Sequence, residues 1–177
     1  MTTKSVSPYN PEWKALYERA FPKSEKYPLA MLYILSRRRD INAYAFYDND
    51  QFVALLYTVE SRTMVFVLYL AVNDTIRSKG YGTEILEWLK AKAGSRAIGL
   101  NIEPVDPAAD NAEQRRRRAS FYERNGIVDT GYRLGAQGQI YAVYSSANPF
   151  VPKHYTETMG RMAFGLYHPK LKETSVE

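Results

Sequence analysis

Leu70-Ala71-Val72-Asn73-Asp74-Thr75-Ile76-Arg77-Ser78-Lys79-Gly80-Tyr81-Gly82-Thr83 is the stretch on which the reading of this chain turns. It is entered from Met64–Val72, apolar at almost every position, the pattern of a strand covered on both faces at the centre of a sheet. It leads into Ile85, Leu86, Trp88, Leu89 and Ala93, which repeat at helical spacing, with Gly94 placed to close the helix. A buried strand therefore runs through a short polar loop into a helix that opens on glycines. The first amides of a helix lack partners and carry partial positive charge, so they can hold an anion. Gly80 and Gly82 let phosphate oxygens approach the backbone, and Arg77 and Lys79 add formal charge at the same place. The pattern reads as a cradle for a pyrophosphate. It is not a dinucleotide fingerprint, which needs a third glycine where Ile85 stands, nor a Walker loop, because the chain has no Gly-Lys pair.

Upstream, Asn42–Tyr47, Gln51–Val59 and Thr63–Val72 are rich in Val, Phe, Tyr and Leu and are separated by short polar turns, which predicts an antiparallel meander. Two amphipathic helices precede it. The first starts at the Asn10-Pro11 cap and buries Trp13, Leu16, Tyr17 and Ala20; the second runs from about Leu29 to Arg38. Downstream, the pattern predicts a strand over Arg96–Glu103, a helix from Asn111 to Asn125 closed by Gly126, and strands over Ile127–Arg133 and Gln139–Ser145. A tail from Asn148 carries a helix from His154 to Phe164. The order ααβββαβαββα is a layered α/β (α+β) architecture.

Arg77-x-x-Gly80-x-Gly82 after a buried strand resembles the acyl-CoA-binding motif of the GNAT superfamily of N-acetyltransferases. Ala119-Ser120-Phe121-Tyr122-Glu123-Arg124-Asn125-Gly126-Ile127 resembles that family's Ala-x-x-Phe-Tyr-x-x-x-Gly-Phe signature, with Ile127 in the last position. The resemblance covers about Tyr44 to Tyr144, and the two leading helices match the family's usual pair. It implies the GNAT fold: a central mixed, mostly antiparallel sheet, splayed between its fourth and fifth strands and flanked by helices. It also implies an acetyltransferase domain over residues 1–147, with residues 148–177 as a helical tail.

The resemblance further implies a cosubstrate, acetyl-CoA, and an amine acceptor. The pantetheine arm would pair with the backbone of Leu70, Ala71 and Val72, where an N–H polarises the thioester carbonyl. The pyrophosphate would rest on Arg77, Ser78, Lys79, Gly80, Tyr81, Gly82 and Thr83. Tyr122 matches the general acid that protonates the leaving thiolate, against the plainer reading of a packing tyrosine. Glu103, which shares a strand face with Asn101, matches best as the base; Glu60 and Glu25 stand behind it. Many relatives carry an asparagine about two turns before the tyrosine. Arg115 stands there in this chain, so either Arg115 faces the coenzyme or Asn111, one turn earlier, substitutes for it.

The chain has 177 residues, a net charge of +5 and no cysteine. That excludes a disulfide scaffold, thiolate metal sites and a cysteine nucleophile, and agrees with direct transfer from the thioester. The two histidines, His154 and His168, lie near the C-terminus, so no metal site or histidine triad is expected. The first residues lack an apolar leader and no apolar run is long enough to cross a bilayer, so the expectation is a soluble, cytoplasmic protein with no membrane partner. Arg37-Arg38-Arg39 is expected to sit at a helix C-terminus, and most of Arg115–Arg118 in solvent. Those runs also motivate a competing reading, a nucleic-acid-binding module. It is disfavoured because the two runs fall on separate helices and most of the tyrosines lie in strand or helix-face patterns. A GNAT fold that binds CoA without catalysis is the third reading. The acceptor, a small-molecule amine or a peptide, would be walled by Phe21, Glu25, Tyr27, Tyr69 and Tyr132. The tail is left to cap the core, to cover the cleft or to form a homodimer contact.

Overall fold

The computed structural model describes residues 1–76, 80–136, 138–165 and 169–174. Eight strands form one mixed sheet in the order β1-β2-β3-β4-β5-β7-β6-β8. They are β1 (Thr2–Ser5), β2 (Ile41–Asp48), β3 (Gln51–Glu60), β4 (Met64–Val72), β5 (Ala97–Ile102), β6 (Val128–Ala136), β7 (Gln139–Ser145) and β8 (Leu171–Glu173). The helices are α1 (Pro11–Ala20), α2 (Leu29–Leu35), α3 (Tyr81–Ala93), α4 (Ala112–Arg124) and α5 (Pro152–Gly160). The pairs β1–β2, β2–β3, β5–β7, β6–β7 and β6–β8 are antiparallel, and β4–β5 is parallel. A parallel pair needs a crossover, and α3 supplies it. The mixed sheet flanked by helices is the architecture expected from the sequence.

The chain groups into two compact units, Met1–Glu60 with Val67–Lys92, and Ser61–Phe66 with Ala93–Glu177. β4 contributes its first residues to one and its last to the other.

In the first unit, the Asn10 side chain caps α1 by accepting from the Trp13 amide at 3.1 Å. Trp13, Leu16 and Tyr17 are buried as expected, whereas Ala20 is exposed. Trp13 packs edge-on against Tyr57 of β3, and the Tyr57 hydroxyl donates to the Leu32 carbonyl of α2 at 2.8 Å. On β2, Tyr44 and Phe46 meet Trp88 of α3, each at 5.1 Å between ring centroids. Tyr57 stands opposite Ala43, so these contacts lie on alternate faces. Coverage on both faces explains why the meander reads as continuous apolar runs although its β2–β3 pair is antiparallel. The β2–β3 loop is Asn49-Asp50, both with positive φ (45° and 66°), which is the signature of a type I′ hairpin.

In the second unit, β5 runs beside the start of β4. The Ala97 amide donates to the Thr63 carbonyl at 3.0 Å, and a Cβ on Gly99 would meet Met64 Sδ at 2.9 Å. Glycine there permits that approach. Residues 148–174 belong to this unit. Tyr155 of α5 is fully buried, its hydroxyl is bonded to the Asn101 side chain of β5, and β8 pairs with β6.

Four elements depart from the sequence reading. Thr2–Ser5 forms an edge strand on β2. α2 ends at Leu35, so the arginine run lies beyond it, and Arg38 grips the Asp40 carboxylate through two bonds of 3.0 and 2.9 Å. α5 stops at Gly160, and Arg161–Ala163 continues as a 3₁₀ turn. Leu171–Glu173 is a strand.

Candidate active site

The first unit holds the end of β4 and the start of α3. β4 is fully buried from Met64 to Val67, then only half-buried at Leu70, Ala71 and Val72. Three of the expected anion-site residues, Arg77, Ser78 and Lys79, lie outside the described residues. Gly80 has φ of +81°, a conformation that favours glycine, and none of the described residues lies within 4 Å of where its Cβ would stand. The Thr83 and Glu84 amides both donate to the Gly80 carbonyl, at 3.0 and 3.2 Å. Among the described residues, the Tyr81 and Gly82 amides at this helix start have no hydrogen-bond acceptor. The Tyr81 ring is buried, and its hydroxyl donates to Asp48 Oδ2 at 2.7 Å, tying the first residue of α3 to the end of β2.

The entry to the loop is fixed from α1. Arg19 reaches Asn73 Oδ1 at 2.9 Å and Asp74 Oδ1 at 3.0 Å. Asn73 Oδ1 also accepts from the Thr75 amide and hydroxyl, and Asn73 Nδ2 donates to the Phe52 carbonyl. Sequence reasoning missed Asn73, Asp48 and Arg19 as positioning groups. A polar residue immediately after a buried strand was the signal available for Asn73.

Of the expected acceptor-wall residues, Phe21, Glu25, Tyr27 and Tyr69 are together. The Tyr69 ring packs edge-on against Tyr17 and Phe21 at 4.9 and 4.8 Å. Its hydroxyl donates to the Glu25 carbonyl at 2.7 Å and accepts from the Tyr27 amide at 3.0 Å. Burial pushes the Tyr69 phenol far above its ordinary range, so it anchors the 25–27 loop as a neutral group. Tyr132 lies in the second unit, where it packs on Phe150. Glu60 is engaged by Asn42 at 3.0 Å and by Lys92 at 3.6 Å.

The second unit holds α4 and the end of β5. Tyr122 is 8% exposed. Burial pushes its phenol up to about 12, against an opposing pull from Arg118. Among the described residues its hydroxyl has no hydrogen-bond partner. A buried ring whose hydroxyl has no partner among the described residues keeps an O–H free to donate.

Glu103, one residue beyond β5, is the hub of an ion-pair cluster. Its Oε1 accepts from Arg115 at 2.8 Å; its Oε2 accepts from Asn111 at 3.2 Å and faces Arg118 at 3.4 Å. Arg115 also donates to Asn111 Oδ1 at 2.7 Å and to the Pro104 carbonyl at 3.2 Å. The two residues offered as alternatives for the coenzyme contact are thus bonded to each other, and together they close the loop between β5 and α4. Arg116 and Arg117 point outward and share Glu113.

Residues 8–127 match the family model described as the acetyltransferase (GNAT) family. The curated Bacillus subtilis protein YjbC, assigned as an acetyltransferase, is 30% identical over 125 residues, which are 68% of this chain and 60% of that protein's length. A GNAT-family structure from Bacteroides thetaiotaomicron superposes with a TM-score of 0.72 at 20% identity, covering 94% of this chain and all of that one. An aminoglycoside 6'-N-acetyltransferase complexed with coenzyme A superposes with a TM-score of 0.60 at 19% identity, covering 82% of this chain and 96% of that one. At these identities the structural likeness is one of fold. The family model, matched over most of the chain and including the glycine loop and the Phe121-Tyr122 signature, places this chain in the GNAT acetyltransferase family.

Proposed function

We propose that the protein is an N-acetyltransferase that moves the acetyl group of acetyl-CoA directly onto an amine, with no covalent enzyme intermediate. The observation that carries this reading is the Tyr122 hydroxyl, at the signature position of the family and without a partner among the described residues. The bound coenzyme of the aminoglycoside acetyltransferase of similar fold supports acetyl-CoA as the cosubstrate.

In the proposed reaction the neutral amine nitrogen attacks the thioester carbonyl carbon, forming the C–N bond. The backbone of Leu70–Val72 supports the oxyanion. The C–S bond then breaks, the sulfur keeps the bonding pair, and the Tyr122 O–H hydrogen-bonds to it as it becomes a thiol. The proton lost from the amine balances the one gained by sulfur. The half-buried end of β4, the Gly80 backbone and the Tyr81 and Gly82 amides fit the pantetheine and pyrophosphate of the coenzyme. Arg77, Ser78 and Lys79 complete that set in the proposal.

The acceptor is a small-molecule amine or a peptide, received against the Tyr17, Phe21 and Tyr69 cluster and the loop it anchors. The setting proposed is the cytoplasm; no described helix is long and apolar enough to cross a membrane.

A turnover screen of amines, polyamines, amino acids and peptides with acetyl-CoA tests the reading. Release of CoA dependent on one acceptor class is expected. Absence of turnover with every class, together with absence of thermal stabilisation by CoA, would overturn it. Stabilisation without turnover would leave a CoA-binding fold that lacks catalysis.

A further inference from the structure

Glu103 is already committed to three side chains of the same cluster. Its carboxylate accepts from Arg115 and Asn111 and faces Arg118. What the carboxylate does do is hold two arginines of α4, and one of them, Arg118, precedes Tyr122 by four residues. On a helix that spacing puts the two side chains on one face.

We propose that Arg118 is a positioning residue for the Tyr122 phenol, held there by Glu103, and that Glu103 serves the reaction through this ion pair and not as its base. The inference rests on the reading of Tyr122 as donor to the leaving sulfur.

The arrangement has a physical purpose. A tyrosine buried to 8% exposure loses donor strength, because its developing negative charge is no longer hydrated. A guanidinium one turn away restores part of that strength. The other charges brought by the packed elements are directed elsewhere. Arg115 is tied to Glu103, Asn111 and the Pro104 carbonyl. Glu123 of α4 and Asp129 and Arg133 of β6 act on the Tyr144 hydroxyl of β7. Among the described residues, Arg118 is the charge that acts on Tyr122, and its ion pair with Glu103, at 3.4 Å, engages one of its nitrogens.

The test places 3,5-difluorotyrosine at position 122, which lowers the phenol into an accessible pH range, and follows its titration by fluorine NMR without substrate. Arg118→Gln is expected to raise the reporter by about 0.5–1 pH unit, the size expected of one half-exposed charge a turn away. Arg118→Lys is expected to restore most of that shift. In turnover, Arg118→Gln is expected to cost about three- to tenfold, and Glu103→Gln no more than that. The Glu103→Gln loss should vanish when Arg118 is already glutamine. An unmoved reporter in Arg118→Gln overturns the proposal. So does a loss above about 100-fold in Glu103→Gln that persists without Arg118, the mark of a base. A shifted reporter with normal turnover in Tyr122→Phe would uphold the coupling and overturn the catalytic reading of Tyr122, so the two failures are distinguishable.

Discussion

Replacing Tyr122 by phenylalanine removes one oxygen and leaves the buried ring in place. The phenol, held up to about 12 by burial, is two units above the ordinary tyrosine value of 10.0. Each unit corresponds to about 1.4 kcal/mol, so burial, net of the opposing pull of Arg118, disfavours the phenolate by about 2.7 kcal/mol. An ordinary thiol titrates near 8.5. Complete transfer of a proton from this phenol to a thiolate is then uphill by about 3.5 units, or about 4.8 kcal/mol. The favourable contribution is instead a hydrogen bond to the charge that develops on sulfur, with solvent completing the protonation. Such a bond is worth about 1.5–3 kcal/mol, which predicts a fall in kcat of about 10- to 150-fold. KM for acetyl-CoA should change little, because the charge exists only as the bond breaks. The pH–rate profile of the native protein should show no alkaline limb from this group below about pH 11. Steady-state kinetics from pH 6 to about 10 on both proteins settles the matter. A loss beyond about 10⁴-fold, or an alkaline limb near pH 9 that disappears in the variant, would show a full proton transfer and sink the reasoning. A loss below about twofold would reduce Tyr122 to a packing residue.

Tyr69→Phe keeps the aromatic cluster but releases both bonds to the 25–27 loop, so about 1–3 kcal/mol of stability should be lost and KM for the acceptor should rise while that for acetyl-CoA does not; calorimetric unfolding and initial rates read the two effects. Arg115→Ala should cost about 2–4 kcal/mol by taking the shortest of three donors from Glu103 and the guanidinium from Asn111 Oδ1 and the Pro104 carbonyl, whereas Arg117→Ala, at 79% exposure, should stay within about 0.5 kcal/mol. Denaturant melts that rank the two equally would refute the distinction. The phenols of Tyr17, Tyr57, Tyr69, Tyr122 and Tyr144 are all raised above 10.0, chiefly by burial. Above pH 10 the unfolded chain gives up protons that the folded chain retains, so stability present below pH 10 should drain away as pH rises through 10 to 12. Urea midpoints measured from pH 8 to 11 should be flat and then fall, and a midpoint rising above pH 10 would contradict that sign.

The meander, the crossover helix and α4 were legible because each carries a long, consistent apolar period. Met64–Val72 could be read as a central strand because both of its faces needed cover. The edges of the sheet were not legible. Thr2–Ser5 is polar on every residue and joins the sheet through backbone bonds to β2, which residue type does not encode. Leu171–Glu173 is short and mostly exposed, for the same reason. The arginine run at 37–39 follows the C-cap of α2 at Ser36, and what the sequence pattern did not show is that the helix stops short of it and that Arg38 takes Asp40, two residues on, as its partner.

The four consecutive arginines of α4 show where sequence reading of the site stops. Successive residues on a helix are turned by about 100°, so a run of four goes round the axis and periodicity cannot say which side chain turns inward. The acids decide it. Glu113, in the first turn of the helix, lies three and four residues before Arg116 and Arg117 and draws both outward. Glu103 lies off the helix, beyond β5, and can be met only from the buried side, where Arg115 and Arg118 stand. That location is set by the β5–α4 connection and not by local spacing. A carboxylate at a strand end, read alone, looks like a base facing a substrate. With two arginines and an asparagine on it, the same carboxylate becomes the post from which α4, and with it the Tyr122 hydroxyl, is held in place.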